Sequence, residues 1–163
     1  MNKLTLAKVS NFPSENRVAI DGLQNIGEYM VTVFDVEPNK LIAKAAEKLK
    51  DKVPKPAFVG MVKTGPHVQR PPIQENFWFL RCASILRQAY VHGSVGIQGL
   101  RRHYGGRKRM GVRPSKHVPA GGSTIRKAMQ GLEKAGLLTK EKKGRIISSK
   151  GMKFLDECAK ESV

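Results

Sequence analysis

The chain has 163 residues, 40% of them hydrophobic, and carries 30 Lys and Arg against 13 Asp and Glu, a net charge of +17. That length and apolar content suit one domain with a real core, while that charge repels itself in a compact fold unless a polyanion neutralises it, which makes nucleic acid the first candidate. No apolar run approaches the roughly 20 residues of a membrane span, no lipidation signal or charged-then-apolar leader opens the chain, and two isolated cysteines, Cys82 and Cys158, fit neither a disulfide scaffold nor a zinc site and point to a reducing, intracellular setting.

Residues 1–33 are electrically neutral, with scattered Gly, Asn and Pro and no sustained period, and read as an irregular arm. Glu15, Asp21 and Glu28 argue against a transit peptide. The domain then runs over 34–163. Its first helix opens near Asp35, the expected cap, with Pro38 in the first turn and an apolar stripe of Leu41, Ile42, Ala45, Ala46 and Leu49; Lys40, Lys44, Lys48, Lys50 and Lys52 lie around it as a solvated face. Val53-Pro54-Lys55-Pro56 stops the helix. Ala57 to Lys63 is a short apolar piece of a turn or two of helix, and the proline pairs that follow carry the chain around the domain.

The central element is Asn76 to His92. At about 100° per residue, Trp78, Phe79, Cys82, Ala83, Ile85, Leu86, Ala89 and Tyr90 fill one broad arc, and Phe77, Leu80 and Val91 lie among the polar residues of the other side. A helix apolar on most sides sits in the middle of a domain. Its polar strip carries Arg81 and Arg87 and no carboxylate. After Gly93, a short helix stripe of Val95, Ile97, Leu100 and Tyr104 is expected despite Gly96 and Gly99; the glycine spacing follows a helix rather than a strand, so it is no nucleotide loop.

The strongest signal is charge placement. From Asn76 to Leu132, 57 residues contain no acidic side chain but 11 basic ones: Arg81, Arg87, Arg101, Arg102, Arg107, Lys108, Arg109, Arg113, Lys116, Arg126 and Lys127. Solvation alone gives no reason to exclude acids over so long a stretch. Phosphate does, because each neutralised phosphate releases counterions and one misplaced carboxylate repels the backbone. Seven of these cations fall in Gly105 to Lys127, where Gly and Pro predict an irregular loop; arginine there suits bidentate grip on phosphate and stacking on bases, and Tyr104, His103 and His117 are able to stack as well.

Toward the C terminus, Ser123 or Thr124 is the expected cap of a helix bearing Ile125, Ala128, Met129, Leu132 and Ala135 on one face and ended by Gly136. Leu137 to Thr139 and Arg145 to Ile147 are strand candidates joined through Lys142-Lys143-Gly144, and Ser149 is the expected cap of a last helix with Met152, Leu155, Cys158 and Ala159. Helix, strand, basic turn, strand, helix is the order of a winged helix-turn-helix, with Arg126 and Lys127 on the recognition-like helix and Lys142, Lys143 and Arg145 in the wing. The predicted class is therefore all-α, a winged helix-turn-helix with a small β-hairpin wing around a central amphipathic helix.

Three groups of residues carry a family resemblance: Asn76 to Trp78 with Arg81, Ala83-Ser84 and Arg87; Tyr104-Gly105-Gly106-Arg107 with Arg109, Gly111-Val112 and Pro114-Ser115; and Arg126 with Gln130, Leu132 and Glu133. In these the chain resembles the eukaryotic and archaeal small-subunit ribosomal protein nineteen family, the S nineteen e type. The likeness runs from about Thr32, where Val-Thr-Val-Phe-Asp-Val resembles the family's opening, to Cys158; the leading segment has no counterpart. The resemblance implies a winged-helix rRNA-binding domain in the head of the small ribosomal subunit, contacts with small-subunit rRNA and neighbouring head proteins, and a part in rRNA maturation. It implies a cytoplasmic location on the ribosome, with a nucleolar stage during assembly in a eukaryote. It also matches Arg81, Arg87 and the Gly105 to Lys127 region to the family's rRNA-facing surface.

Catalysis is not expected. The basic region lacks a carboxylate for acid or base work, the four His are dispersed, and neither Cys lies in a ligand or nucleophile pattern, so no cofactor, metal or small-molecule substrate is predicted. The rival class is a winged-helix DNA-binding transcription regulator. Its charge should concentrate on the recognition helix, whereas here it spreads over helix ends and a glycine-rich stretch, which suits an irregular folded RNA.

Overall fold

The structure, a computed structural model, describes residues 31–162, and the predicted arm up to Met30 lies outside the described residues. Within them five helices and two antiparallel hairpins follow in the order α1 (Pro38–Leu49), α2 (Phe77–His92), α3 (Ile97–His103), β1 (Gly106–Met110), β2 (Arg113–Val118), α4 (Gly122–Lys134), β3 (Leu138–Glu141), β4 (Gly144–Ile147) and α5 (Ser149–Lys160). None of these helices is long and apolar enough to cross a membrane.

Helix α2 is the hub. Helices α1, α4 and α5 and strand β4 all pack on it, which is why Trp78, Phe79, Cys82, Ala83, Ile85, Leu86 and Ala89 are buried. Tyr90, at the edge of the arc, stays half-buried and donates its hydroxyl hydrogen to Asp156 Oδ1 at 3.1 Å. Val33 is fully buried in the same core, so the domain's packing reaches back past the sequence division at residue 33.

Several local expectations shift by a residue or two, each for a physical reason. Asp35 does not cap α1. Its carboxylate accepts from the Thr32 amide and hydroxyl, 2.8 Å each, closing a turn upstream, while Pro38 forces Glu37 into an extended conformation and the helix starts at the proline. Residues 57–63 form successive turns rather than a helix, and the Phe58 ring meets Trp78 edge-on at 6.0 Å. Val95 is not on the α3 stripe: it is extended and exchanges two backbone hydrogen bonds with Arg145, of 2.8 and 3.0 Å, which tie the second hairpin to the α2–α3 connection.

Helix α4 is capped by Gly121, not by Ser123 or Thr124. The Gly121 amide donates to Thr64 O at 2.8 Å, so close an approach that a Cβ there would lie 3.0 Å from the same oxygen, and Thr124 is buried one turn in. The helix ends in a Schellman motif, Gly136 N to Glu133 O and Leu137 N to Leu132 O, with Gly136 at φ +72°. Helix α5 is capped by Ser148 rather than Ser149; its hydroxyl accepts from Gly151 N at 3.2 Å and donates to Gly136 O at 2.7 Å. That start puts Phe154 into the core and leaves Met152 exposed, the reverse of the predicted stripe at these two places.

The largest correction is in the stretch expected as an irregular loop from Gly105 to Lys127: Gly106 to Val118 form an ordered hairpin, and α4 begins at Gly122. Glycine and proline sit at its root, turn and bulge, not inside its paired segments. Gly111, at φ +73°, and Val112 form the two-residue loop between Met110 and Arg113, and two residues of β2, Pro114 and Ser115, oppose the single Arg109. Proline lacks a donor and is tolerated at such a bulge.

Candidate nucleic-acid interface

Four of the expected contact residues, Arg107, Arg109, Arg113 and Lys116, are exposed on the β1–β2 hairpin, and Lys108 is half-buried. Antiparallel register puts Lys108 directly opposite Lys116 and Arg107 opposite His117. Like charges facing across a strand pair are destabilising, and no carboxylate lies on either strand to relieve them. The Arg107 guanidinium is steered by donating to the Ser115 hydroxyl. A hairpin so built gains from an anion laid along it.

Its root is fastened in several places. Ala120 N donates to Arg101 O at 2.9 Å, and the Arg101 side chain returns a bond to Ala120 O at 3.1 Å and another to Gln98. The His67 ring lies against Gly106, where an added Cβ would come within 2.7 Å of it, and His67, Pro66 and Gln69 line a hollow of about 330 Å³ with Arg107, Lys108 and Arg109. Under the root, the Arg81 guanidinium sits over the Tyr104 ring at 4.0 Å and near the Phe77 ring at 5.2 Å. Burial pushes the Arg81 pKa down and that of Tyr104 up, and the Tyr104 hydroxyl bonds Ser84 at 2.8 Å. Arg81 and Tyr104 therefore join α2 to the start of the hairpin rather than standing free.

The remaining expected residues fall on other elements. Arg102 is exposed at the end of α3, where a cation complements the helix dipole. Arg126 and Lys127 are exposed on α4, with the Lys127 ammonium 4.6 Å from the Phe58 ring centre. Arg87 is half-buried on α2. Lys142 and Lys143 form the exposed tip between β3 and β4, but Arg145 is paired with Glu133 of α4 and is not a free cation.

A family model described as ribosomal protein S19e matches residues 32–163. The chain is 44% identical over 137 residues to the small ribosomal subunit protein eS19 of Aeropyrum pernix, covering 81% of this chain and 90% of that protein, and 40% identical over 137 residues to its namesake in Emericella nidulans, covering 82% and 93%. The chain belongs to the ribosomal protein S19e family.

In this S19e chain the described acids that pair do so away from the β1–β2 hairpin. Glu161 accepts from Lys48 at 2.6 Å where α1 meets α5, Glu37 faces Lys40 on α1, Asp156 takes the Tyr90 hydroxyl, and Glu133 holds Arg145. The hairpin cations receive none of them. Sequence reasoning passed over His67 and Gln69; they sit in a proline-bearing segment with no period, and only the lack of acid around them hinted at a shared surface.

Proposed function

We propose that this S19e chain is a structural constituent of the small ribosomal subunit that binds small-subunit rRNA in the head region and supports subunit assembly and rRNA maturation. The observation that carries the rRNA contact is the carboxylate-free β1–β2 hairpin, with Lys108 facing Lys116 and Arg107, Arg109 and Arg113 exposed beside them. Helices α3 and α4 followed by the β3–β4 hairpin are read as a winged helix-turn-helix in which the β1–β2 hairpin replaces the short turn, with Arg126 and Lys127 on the second helix and Lys142 and Lys143 at the wing tip. The relatives' name, small ribosomal subunit protein, supports the assignment to that particle.

Phosphate contact gives a log affinity that falls linearly with log salt, by about 0.7 per contact for single strands and about 0.9 for duplex. The test is co-sedimentation of purified protein with small subunits through a moderate salt wash, alongside a screen for preferred DNA duplexes. Retention on subunits without a preferred duplex supports the proposal. A strong duplex sequence preference with no retention would instead make the chain a DNA-binding regulator.

A further inference from the structure

The end of the β1–β2 hairpin is apolar. Val112 is 106% exposed and Met110 39% exposed, two residues apart at the tip of a structure whose other exposed residues include Arg107, Arg109, Arg113 and Lys116. Turn chemistry does not explain them. A two-residue loop with positive φ at its first position and negative φ at its second has the signs of a type II′ turn, for which Gly followed by Asn, Asp or Ser is the favoured pair. Gly111 meets the first demand; a β-branched valine at the second adds nothing to the turn. Folding does not explain them either, since the two strands pack chiefly on each other and the tip reaches no core residue.

We infer that Met110 and Val112 form a wedge that enters an unstacked base step of RNA, at a bulge or unpaired loop, while the flanking cations hold the phosphates on either side. This rests on the rRNA reading above and assigns it a local target. Charge complementarity selects the occupant: Arg113 is the direct strand partner of Met110, Arg109 precedes it, Lys108 and Lys116 follow toward the root, and no carboxylate lies between Asn76 and Leu132. A protein pocket receiving this tip would have to cancel those charges side chain by side chain; an RNA does so with its backbone. Apolar wedges pry apart base steps in nucleic-acid complexes, and in RNA the accessible steps are the unpaired ones, because the paired major groove is too deep and narrow.

The test uses two RNA hairpins of one sequence, fully paired or carrying a two-nucleotide bulge with 2-aminopurine, whose fluorescence rises on unstacking. Wild-type protein should prefer the bulged RNA by about tenfold, the equivalent of about 1.4 kcal/mol, and raise the fluorescence. Val112→Asn with Met110→Gln, both compatible with the turn, should melt like wild type, lose the preference and the fluorescence rise, and keep the salt slope. Arg107→Ala should lower the slope and affinity for both RNAs and keep the preference. Wild type binding both RNAs equally would overturn the wedge and leave the rRNA reading standing; wild type binding neither at low salt would overturn both. A photocrosslinker introduced by Val112→p-benzoylphenylalanine should label RNA in small subunits carrying this chain, and labelling of protein alone would overturn the inference.

Discussion

Replacing Lys116 by glutamate should move stability and RNA binding in opposite directions. Lys116 is exposed and directly faces Lys108, so Lys116→Glu turns a repulsion into an attraction. With the charges some 7 Å apart in water-like dielectric, each sign is worth about 0.6 kcal/mol before screening, and ions at physiological strength, with a Debye length of about 8 Å, cut that roughly in half. The swing is thus about 0.5 to 1 kcal/mol, a melting temperature raised by about 1 to 4 °C for a domain of this size. On the proposed rRNA contact the same change removes one cation from the hairpin and adds an anion, so the slope of log affinity against log salt should fall by about 0.7 to 0.9, and affinity should drop further than neutral Lys116→Ala would take it. Thermal melts at low and high salt, paired with filter binding to rRNA fragments over a salt series, read both quantities. A variant that is more stable yet binds equally well would refute the hairpin as a phosphate contact. A variant that melts lower would refute the cross-strand repulsion.

Arg107→Ala with Arg109→Ala should lower the same slope by up to about 0.7 to 0.9 for each phosphate left without its arginine, with no shift in the melt, and an unchanged slope would exclude both side chains from the interface. Trp78, fully buried beneath Phe58, should cost roughly 3 to 5 kcal/mol as Trp78→Ala, measured by urea denaturation. Ser148→Ala removes the α5 cap and should cost about 0.5 to 2 kcal/mol by the same assay. Burial pushes the Cys82 thiol from 9.0 up to about 12, so the native protein should resist alkylation of Cys82 at pH 8 until denaturant is added. The sign of that shift also predicts a stability contribution fully present below pH 9 and lost as pH rises toward 12.

Periodicity located the helices because their burial follows it. Seven of the eight residues assigned to the α2 arc are buried, and the α4 face is buried at Ile125, Ala128, Met129 and Leu132 as expected. The β1–β2 hairpin was invisible for the converse reason. Gly106 to Met110 and Arg113 to Val118 bury no face, so no alternation of apolar and polar residues exists to be read; register comes from the Gly111 turn and the Pro114-Ser115 bulge. Caps slipped where backbone packing outweighed a side-chain hydrogen bond, as at Gly121 against Thr64. The cations of the candidate site stood out as a group by the missing acids, but not which of them pair or stack within the fold. Nothing in the spacing of Arg81 and Tyr104 announces that one ring will lie across the other's guanidinium, nor that Glu133 will take Arg145 out of the free set.

That division has a physical logic. A hairpin whose strands bury no common face is marginal on its own, and one carrying opposed lysines is worse. Its geometry must therefore be held at the root, and three ties hold it there: His67 against Gly106, the Arg101–Ala120 backbone and side-chain bonds, and the Arg81–Tyr104 stack bonded onward to Ser84. Two of the three use an arginine from the acid-free stretch, with donors committed to Ala120 O and Gln98 at Arg101 and a guanidinium plane covered by Tyr104 at Arg81. Neutralising either residue should then loosen the hairpin as well as subtract a charge. Arg81→Lys keeps the charge but loses the planar stack, so it separates the two roles: weakened RNA binding with an unchanged salt slope would mark Arg81 as a positioning residue, and full binding would mark the stack as dispensable.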